Sequence, residues 1–212
     1  MIAFVTGGTG YLGRPLIARL IERGHAVRAL ARAGSESRLP AGSHLVAGNA
    51  LQSGTWAEHV APADTFVHLV GTPRPNPSKA REFREVDLAS IRAAIDAASR
   101  GGVRHFVYVS VAHPAPIMKA YIDVRTEGEA MVRAAGVNAT ILRPWYVLGP
   151  GHWWPYALLP MYAVLERLPS TAESAARLGL VTRNQMVAAL VRAVEAPPQG
   201  VRVVEVPEIR RA

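Results

Sequence analysis

Three glycines at a spacing of three, between an apolar run and an amphipathic segment, constrain the fold most strongly. The run Ile2–Thr6 predicts a buried strand, and Tyr11–Arg23 places its apolar residues on one face of a helix. In such a strand–turn–helix unit, Gly7 permits the tight turn, Gly10 lets a pyrophosphate approach the backbone, and Gly13 lets helix and strand pack closely. The helix start also directs free N–H groups at an anion. The predicted dinucleotide-binding residues are Thr6, Gly7, Gly8, Thr9, Gly10, Tyr11, Leu12 and Gly13.

Strand patterns alternate with helical patterns along the rest of the chain. Such alternation is typical of right-handed βαβ units, so we expect an α/β fold: a Rossmann-type, doubly wound, mostly parallel sheet with helices on both faces and a small C-terminal substrate segment. We expect a single nucleotide-binding domain over residues 1–212, with residues 145–180 as an inserted segment on the substrate side. The predicted strands are Ile2–Thr6, Ala26–Leu30, His44–Ala47, Thr65–Val70, Val103–Val111, Ala139–Leu142 and Val201–Val206, and the predicted helices are Tyr11–Arg23, Thr55–Val60, Lys79–Ser99, Ala120–Ala135, Tyr156–Leu168 and Asn184–Glu195.

Composition argues against several other classes of protein. The chain has no cysteine, which excludes disulfides and Cys-ligated metals, and its histidines lack metal-ligand spacing, so no metal site is expected. The net charge of +8 comes from scattered arginines, so no nucleic-acid partner is expected. No apolar run reaches the roughly 18–20 residues of a membrane span, and the N-terminus lacks a signal-peptide pattern. We therefore expect a cytoplasmic protein without a membrane span.

Further motifs carry a resemblance to a known family. They are His68–Gly71 at the end of the fourth predicted strand, His105–Ser110 in the fifth, and Ile141–Pro144 followed by Gly149–Gly151. With these motifs and its GxxGxxG spacing, the chain resembles the extended and atypical short-chain dehydrogenase/reductases, which include epimerases, dehydratases and NmrA-like proteins. The resemblance covers nearly the whole chain, and it implies a substrate region that opens after the sixth strand.

The end of the second predicted strand distinguishes between the two nicotinamide cofactors. NAD users carry an acidic residue there for the ribose 2′-hydroxyl, whereas this chain has Ala31 followed by Arg32. An arginine binds a 2′-phosphate through charge-assisted hydrogen bonds, which a carboxylate would repel. The expected cofactor is NADP(H), with NAD(H) as the second choice; in the alternative interpretation Arg32 is one more solvated arginine. The resemblance adds cofactor contacts at Asn49, Ala50, Val70, Gly71 and Arg125.

The family's catalytic set consists of a tyrosine, a lysine four residues later and a serine after the fifth strand. The resemblance assigns proton exchange to Tyr121 and polarisation of the substrate oxygen to Ser110, while Arg125 takes the place of the lysine. Because residues i and i+4 share a helix face, Arg125 supplies a charge that favours the phenolate and orients the ribose, but it cannot release a proton near neutral pH. Alternatively, Tyr121 is an aromatic anchor at a helix start and Ser110 a small residue that ends a strand.

Aromatic residues after the sixth strand predict either a flat apolar substrate pocket or contacts within the core or an oligomer, such as a homodimer. Two functions follow. The first is an NADP(H)-dependent oxidoreductase of the epimerase/dehydratase type, acting on a small carbonyl, sugar-derived or quinone-like compound, and the retained Ser110 and Tyr121 favour it. The second is a catalytically silent NADP(H)-binding redox sensor or protein partner, as in NmrA-like members, and Arg125 favours it. We prefer the enzyme. The candidate substrate residues are Pro73, His113, Trp145, Trp153 and Trp154.

Overall fold

The computed structural model describes residues 1–151, 160, 165 and 171–212. Seven of the nine strands in these ranges form one parallel sheet, and the remaining two, β7 and β8, pair in parallel with each other. The alternation of strands and helices therefore predicted the architecture correctly. The strands are β1 Ile2–Thr6, β2 Ala26–Ala31, β3 His44–Ala47, β4 Thr65–His68, β5 His105–Val109, β6 Asn138–Arg143, β7 Tyr146–Leu148, β8 Leu180–Thr182 and β9 Val201–Glu205.

Helices connect these strands and cover the sheet. The described residues include four short 3₁₀ turns, Glu36–Arg38, Ser53–Thr55, Ala57–His59 and Pro77–Lys79, and one π-helical stretch, Phe83–Leu88. The α-helices are α1 Gly13–Glu22, α2 Ala80–Glu82, α3 Ala89–Arg100, α4 Lys119–Ala134, α5 Ala172–Arg177, α6 Arg183–Glu195 and α7 Val206–Ile209.

The predicted helices differ from the structure in three places. The predicted start of the first helix at Tyr11 was wrong, because the glycine-rich turn continues to Leu12, the residue before α1. The predicted helix Thr55–Val60 is replaced by two 3₁₀ turns. The predicted helix Lys79–Ser99 is interrupted by the π-helical stretch, which inserts an extra residue per turn and turns the side chains that follow.

The segment after β6 was predicted least well. The strands β7 and β8 and the helices α5 and α7 were not predicted, because each is too short to show a clear hydrophobic period. The predicted helix Tyr156–Leu168 lies outside the described residues. In the sequence, β7 and β8 lie near the two ends of residues 145–180. The division of the chain into one domain with this inserted segment stays a prediction.

Two hydrophobic clusters bury the two faces of the sheet. On one face, Phe4, Phe66 and Phe106 stand opposite one another in β1, β4 and β5, with neighbouring ring centroids 5.2 Å apart. The next residue of each strand, such as Val5 or Val67, faces the other side, where α1 and α6 pack. Since successive strand side chains alternate between faces, the apolar runs of these strands reflect burial on both sides.

The strand order β3-β2-β1-β4-β5-β6-β9 reverses direction between β1 and β4. At such a switch point, the loops after the two strands diverge and leave a crevice at the carboxyl ends of the strands, where open α/β sheets bind their ligands. The two loops touch at their base, because a Cβ on Gly7 would lie 2.8 Å from the carbonyl carbon of Leu69. The crevice between β1 and β4 is therefore the place to look for a site.

Candidate functional site

The glycine-rich turn joins β1 to α1 at this switch point. Gly7 has a φ of +74°, a left-handed conformation that glycine adopts without steric penalty. A Cβ on Gly13 would lie 2.6 Å from the Cα of Gly8 and would also overlap the carbonyl oxygen of Gly7. A Cβ on Gly10 would meet only that carbonyl oxygen among the described atoms, at 3.1 Å. The backbone of the turn thus leaves no space for a side chain at Gly13, whereas the turn is open beside Gly10.

The start of α1 fits a phosphate group. In the described part of the chain, no side chain caps this helix start, and no acidic residue lies in its first turn. The first N–H groups of a helix have no partner within the helix, and the helix dipole adds a partial positive charge at the same end. Together with the open side at Gly10, this arrangement fits a pyrophosphate bound against the backbone.

Several side chains of the turn support it from within the protein. The hydroxyl of Thr6 is fully buried and bonded to Nδ1 of His68 at 2.9 Å. Leu12 packs against the hydrophobic cluster on the α1 face, and Thr9 is half-buried. Any cofactor contact from Thr6 must therefore come from its backbone.

Tyr11 connects the turn to the segment after β6. A Cβ on Gly149 would overlap the hydroxyl of Tyr11, and the guanidinium carbon of Arg183 lies 5.5 Å from the centre of the Tyr11 ring. Gly149 belongs to the GPG stretch, and Arg183 is the first residue of α6. The tyrosine therefore packs between the glycine-rich turn, Gly149 and the start of α6.

The ends of β2 and β3 lie on the other side of the turn. Arg32 is exposed directly after β2, and its side chain forms no hydrogen bond or ion pair with any residue the structure describes. Asn49 is exposed after β3, where its Oδ1 accepts a hydrogen bond of 3.1 Å from the N–H of Leu51. Ala50 packs against the second hydrophobic cluster. Among the described residues the charge of Arg32 thus has no partner, whereas Asn49 also holds its own loop.

Arg125 lies on the expected face of α4 but is occupied by protein partners. Its guanidinium carbon is 5.1 Å from the centre of the Tyr121 ring, which confirms the predicted i, i+4 contact. Its Nη2 donates to Oδ1 of Asp87 at 2.6 Å, and its Nη1 donates to the carbonyl of Val109 at 2.9 Å. Burial lowers the pKa of Arg125, but Tyr121, Tyr108 and Asp87 raise it more, so the guanidinium stays charged.

Tyr121 combines a packed ring with an uncommitted hydroxyl. The ring lies against Phe83 with a centroid distance of 5.0 Å and an angle of 58° between planes. Within the described ranges the hydroxyl forms no hydrogen bond, and the residue is partly exposed. The ring is therefore fixed while the phenol group remains available for a ligand.

Ser110 is placed after β5 as expected, but its hydroxyl is already used. It is 3% exposed, and its Oγ donates a 2.6 Å hydrogen bond to Oε1 of Glu129. Glu129 is buried and also accepts two hydrogen bonds from the guanidinium of Arg143. The proton that would polarise a substrate oxygen thus points into the protein in this structure.

Three of the candidate substrate residues lie in the segments after β4, β5 and β6, which are neighbours in the sheet. Pro73 is exposed in the loop after β4, and Trp145 is partly buried against the hydrophobic cluster on the α1 face. His113 lies near Ser110, with its Nε2 3.5 Å from Oε1 of Glu129. Trp153 and Trp154 lie outside the described residues, so their assignment to the substrate pocket stays a prediction.

Two acidic residues beside the site were missed by the sequence interpretation. Asp87 and Glu129 are 2% and 3% exposed, and each bonds a residue of the expected catalytic set, Arg125 and Ser110 respectively. The one available signal was spacing, since Tyr121, Arg125 and Glu129 follow one another at intervals of four on α4. That signal indicates a shared helix face but not which strand it meets.

Other features of the described residues lie away from this crevice. A cavity of about 440 Å³ opens between α3 and α4 at the amino ends of β5 and β6, the opposite edge of the sheet. No group of three or more metal-ligating side chains occurs in the part of the chain that the structure covers. No helix within those ranges is both long and apolar enough to cross a membrane.

Comparison with known proteins adds a family match and several relatives. Residues 7–150 match the family model described as NAD(P)H-binding. The chain is 28% identical over 217 residues to a ceramide reductase of Caulobacter vibrioides, a match that covers 99% of this chain and 65% of that protein. It is 27% identical over 171 residues to the 4-hydroxy-2-methyl-3-oxo-4-farnesyl-3,4-dihydroquinoline-1-oxide ketoreductase of Stigmatella aurantiaca, covering 70% of this chain and 51% of that protein.

The chain thus spans about half to two thirds of the length of these relatives. Among solved structures, the Bordetella bronchiseptica enzyme WbmH in complex with NAD+ matches with a TM-score of 0.72 at 20% identity, covering 96% of this chain and 75% of that one. At this identity the likeness shows a shared fold.

Proposed function

The chain belongs to the NAD(P)H-binding family, and on this premise we propose that it is an NADPH-dependent reductase of carbonyl groups on apolar, lipid-like compounds. One observation carries the proposal: an unbroken series of contacts runs from the glycine-rich turn to the ring of Tyr121. Gly7 touches the loop after β4 at Leu69, Gly71 of that loop lies against Arg125, and Arg125 lies against the Tyr121 ring. A cofactor that extends along these contacts would reach from the glycine-rich turn to Tyr121.

The residues around the crevice would hold the cofactor by its charged and polar parts. The backbone at Gly10 and the start of α1 would bind the pyrophosphate, and Arg32 would bind the 2′-phosphate through charge-assisted hydrogen bonds. Asn49 and Ala50 would contact the adenine, and the backbone of the loop after β4 would border the nicotinamide half. When bound, the cofactor supplies the hydride for reduction of a carbonyl carbon.

The chain itself then has to supply a proton to the carbonyl oxygen. We assign this role to Tyr121, because its ring packs against Phe83 and Arg125 while its hydroxyl forms no hydrogen bond within the described ranges. The positive charge of Arg125 stabilises the phenolate that remains after proton transfer, although the nearby Asp87 offsets part of that charge. Arg125 stays protonated near neutral pH, so the phenolate must regain its proton from solvent or product.

Two kinds of observation support an apolar substrate. The printed names of the two relatives describe a reductase of ceramide and a ketoreductase of a farnesyl-bearing compound. The sequence after β6 is rich in aromatic and apolar residues, of which Trp145 lies partly exposed. Flat apolar side chains with few polar groups are typical of pockets for apolar ligands. A lipid-like ketone fits this combination better than a sugar nucleotide does.

The test compares oxidation of NADPH by a panel of carbonyl compounds. The panel contains a long-chain keto-lipid in detergent, a steroid ketone, a quinone and a polar keto-sugar, with wild type, Tyr121→Phe and Tyr108→Phe side by side. We expect turnover with the apolar ketones, and a loss of roughly 10²–10⁴-fold in Tyr121→Phe at unchanged NADPH affinity. Tyr108 is the matched control, because it is 1% exposed and its hydroxyl is packed against Gly128.

A second candidate is a catalytically silent NADP(H)-binding protein. It is favoured by one specific observation, namely that the proton of Ser110 and the guanidinium of Arg125 are both held by buried carboxylates. Tight NADPH binding without turnover of any ketone would select this second function. Turnover that survives in Tyr121→Phe would remove Tyr121 from the mechanism, and absence of NADPH binding would overturn both functions.

A further inference from the structure

Asp87 is a buried carboxylate that holds two separate parts of the chain. Its Oδ2 accepts hydrogen bonds from the backbone N–H and the hydroxyl of Thr72, at 2.9 and 2.6 Å. Its Oδ1 accepts from Nη2 of Arg125 at 2.6 Å, and the two side chains of this ion pair are 1% and 7% exposed. Thr72 belongs to the loop after β4 and Arg125 to α4. The carboxylate therefore ties this loop to the helix that carries Tyr121.

The backbone around Asp87 is specialised for this contact. Asp87 lies in the π-helical stretch Phe83–Leu88, and Phe83 of the same stretch packs against the Tyr121 ring. A π-helical turn has weaker hydrogen-bond geometry than an α-helix and occurs often at functional sites. Phe83 and Asp87 of this stretch both contact side chains of α4, Tyr121 and Arg125 respectively. The irregular stretch and the buried ion pair thus serve one interface.

The loop after β4 is held from both sides. On one side its backbone at Leu69 meets Gly7 of the glycine-rich turn, so closely that a Cβ on Gly7 would lie 2.8 Å away. On the other side a Cβ on Gly71 would overlap Nη2 of Arg125. The guanidinium is thus packed directly beneath Gly71, and Asp87 fixes both the guanidinium and the next residue, Thr72.

We propose that Asp87 and Arg125 form a positioning pair that sets the loop after β4 for the nicotinamide half of the cofactor. In a doubly wound sheet, the β1–β3 half holds the adenine half of a dinucleotide, and the loop after β4 borders the other half. The expected role of Arg125, a direct contact with the ribose, is replaced by an indirect one. The inference rests on the proposed binding of NADPH.

Comparing the affinity for whole NADPH with the affinity for its adenine half distinguishes a displaced loop from a general loss of stability. Adenosine 2′,5′-bisphosphate carries the adenine, ribose and 2′-phosphate of NADPH without the nicotinamide. A displaced loop after β4 weakens NADPH but leaves this fragment unaffected, since the fragment reaches only the glycine-rich turn, Arg32, Asn49 and Ala50. A damaged fold weakens both ligands together.

The experiment is calorimetric titration of the full chain with NADPH and with adenosine 2′,5′-bisphosphate. In Asp87→Asn, an amide accepts through only one of its two terminal atoms, so it cannot satisfy Thr72 and Arg125 together. We expect at least a tenfold weaker Kd for NADPH and less than a threefold change for the fragment. Asp96→Asn is the matched control, because Asp96 is an exposed residue of α3 paired with Arg100.

Two further variants separate positioning from direct contact. Arg125→Met should give the same pattern as Asp87→Asn, and the double variant should lose little more than either single one, because both changes remove one interaction. If Arg125→Met weakens NADPH while Asp87→Asn does not, Arg125 contacts the cofactor directly and the proposal is wrong. Equal weakening of both ligands in Asp87→Asn would likewise overturn it.

The milder Thr72→Val keeps the test valid should Asp87→Asn fail to fold. It removes one of the three hydrogen bonds to Asp87, so about a threefold loss for NADPH alone is expected, and no loss would contradict the proposal. A wild type that binds neither ligand contradicts the proposed function itself. A wild type that binds both, with unaffected variants, contradicts only the positioning pair.

Discussion

The hydroxyl of Ser110 donates a 2.6 Å hydrogen bond to Oε1 of Glu129, so its proton is held inside the protein and is not offered to a ligand. Glu129 is held in turn by Arg143, whose Nε and Nη2 both donate to its carboxylate. Burial raises the pKa of Glu129, but the hydrogen bonds from Arg143 and Ser110 outweigh it and hold that pKa below its ordinary value. The charged carboxylate is therefore part of the folded structure at neutral pH.

Glu129→Gln should destabilise the protein by about 1–3 kcal/mol at pH 7, the cost of replacing charged hydrogen bonds in a buried site. Because the pKa of Glu129 is depressed in the folded state, its contribution is complete above the unfolded pKa near 4.3 and is lost as the pH falls through the lower folded value. Urea unfolding from pH 7 to pH 3 measures this. Glu127→Gln is the control, because Glu127 lies on the same helix and its side chain is 42% exposed. A difference from wild type that stays constant down to pH 3 would contradict the assignment.

Gly10 and Gly13 should separate cofactor binding from stability. Gly13→Ala places a Cβ 2.6 Å from the backbone of Gly8, and we expect it to lose about 1–3 kcal/mol of stability as an overpacked site. Gly10→Val meets only the carbonyl oxygen of Gly7 in the described structure, so it should retain the fold while abolishing NADPH binding. Thermal unfolding and nucleotide titration of both variants check this. Normal binding by Gly10→Val would show that the turn is purely structural.

His68 should make the protein sensitive to mild acid. Burial, reinforced by the charge of Arg125, lowers the pKa of His68 to about 3, so the folded protein keeps it neutral between Thr6 and Ser90. The unfolded chain takes up this proton below about pH 6.5. Stability is therefore lost as the pH falls from about 6.5 towards 3, by up to about 1.4 kcal/mol per pH unit.

The measurement is urea unfolding between pH 4.5 and pH 7, a window in which most carboxylates remain charged. His68→Asn should reduce the slope of the free energy of unfolding against pH by the amount that one proton contributes, about 1.4 kcal/mol per pH unit. His105 contributes a second, independent proton, since burial lowers its pKa to about 4. The exposed His59 provides the control variant. An unchanged slope in His68→Asn would show that His68 is not the group that titrates.

The parts of the site that could be predicted depend on local constraints. The glycine spacing predicted the turn because Gly7 and Gly13 each satisfy a backbone requirement visible within eight residues. The alternation of short apolar runs with helical patterns predicted the parallel sheet, and the interval of four predicted that Arg125 lies against Tyr121. The observed distance of 5.1 Å confirms that contact.

The carboxylate partners could not be predicted, because a single acid in an amphipathic helix has the same pattern whether it is solvated or buried. Asp87 meets Arg125 from 38 positions away in the chain, and the π-helical stretch that turns it leaves no periodic signal. Glu129 meets Ser110 from 19 positions away. The packing of α4 against the sheet determines which groups Asp87 and Glu129 bind. Those contacts determine in turn whether the expected catalytic residues can reach a ligand.

Arg32 should decide the preference for NADPH over NADH. It is exposed after β2, follows Ala31 where a carboxylate would select the free 2′-hydroxyl, and has no side-chain partner in the described ranges. Arg32→Ala should weaken NADPH by roughly 1–3 kcal/mol, the size of a charge-assisted hydrogen bond, and leave NADH nearly unchanged. Calorimetric titration with both cofactors measures this. Arg19→Ala removes the same charge from the exposed face of α1 and is the control. Equal losses for NADPH and NADH would show that Arg32 does not contact the phosphate.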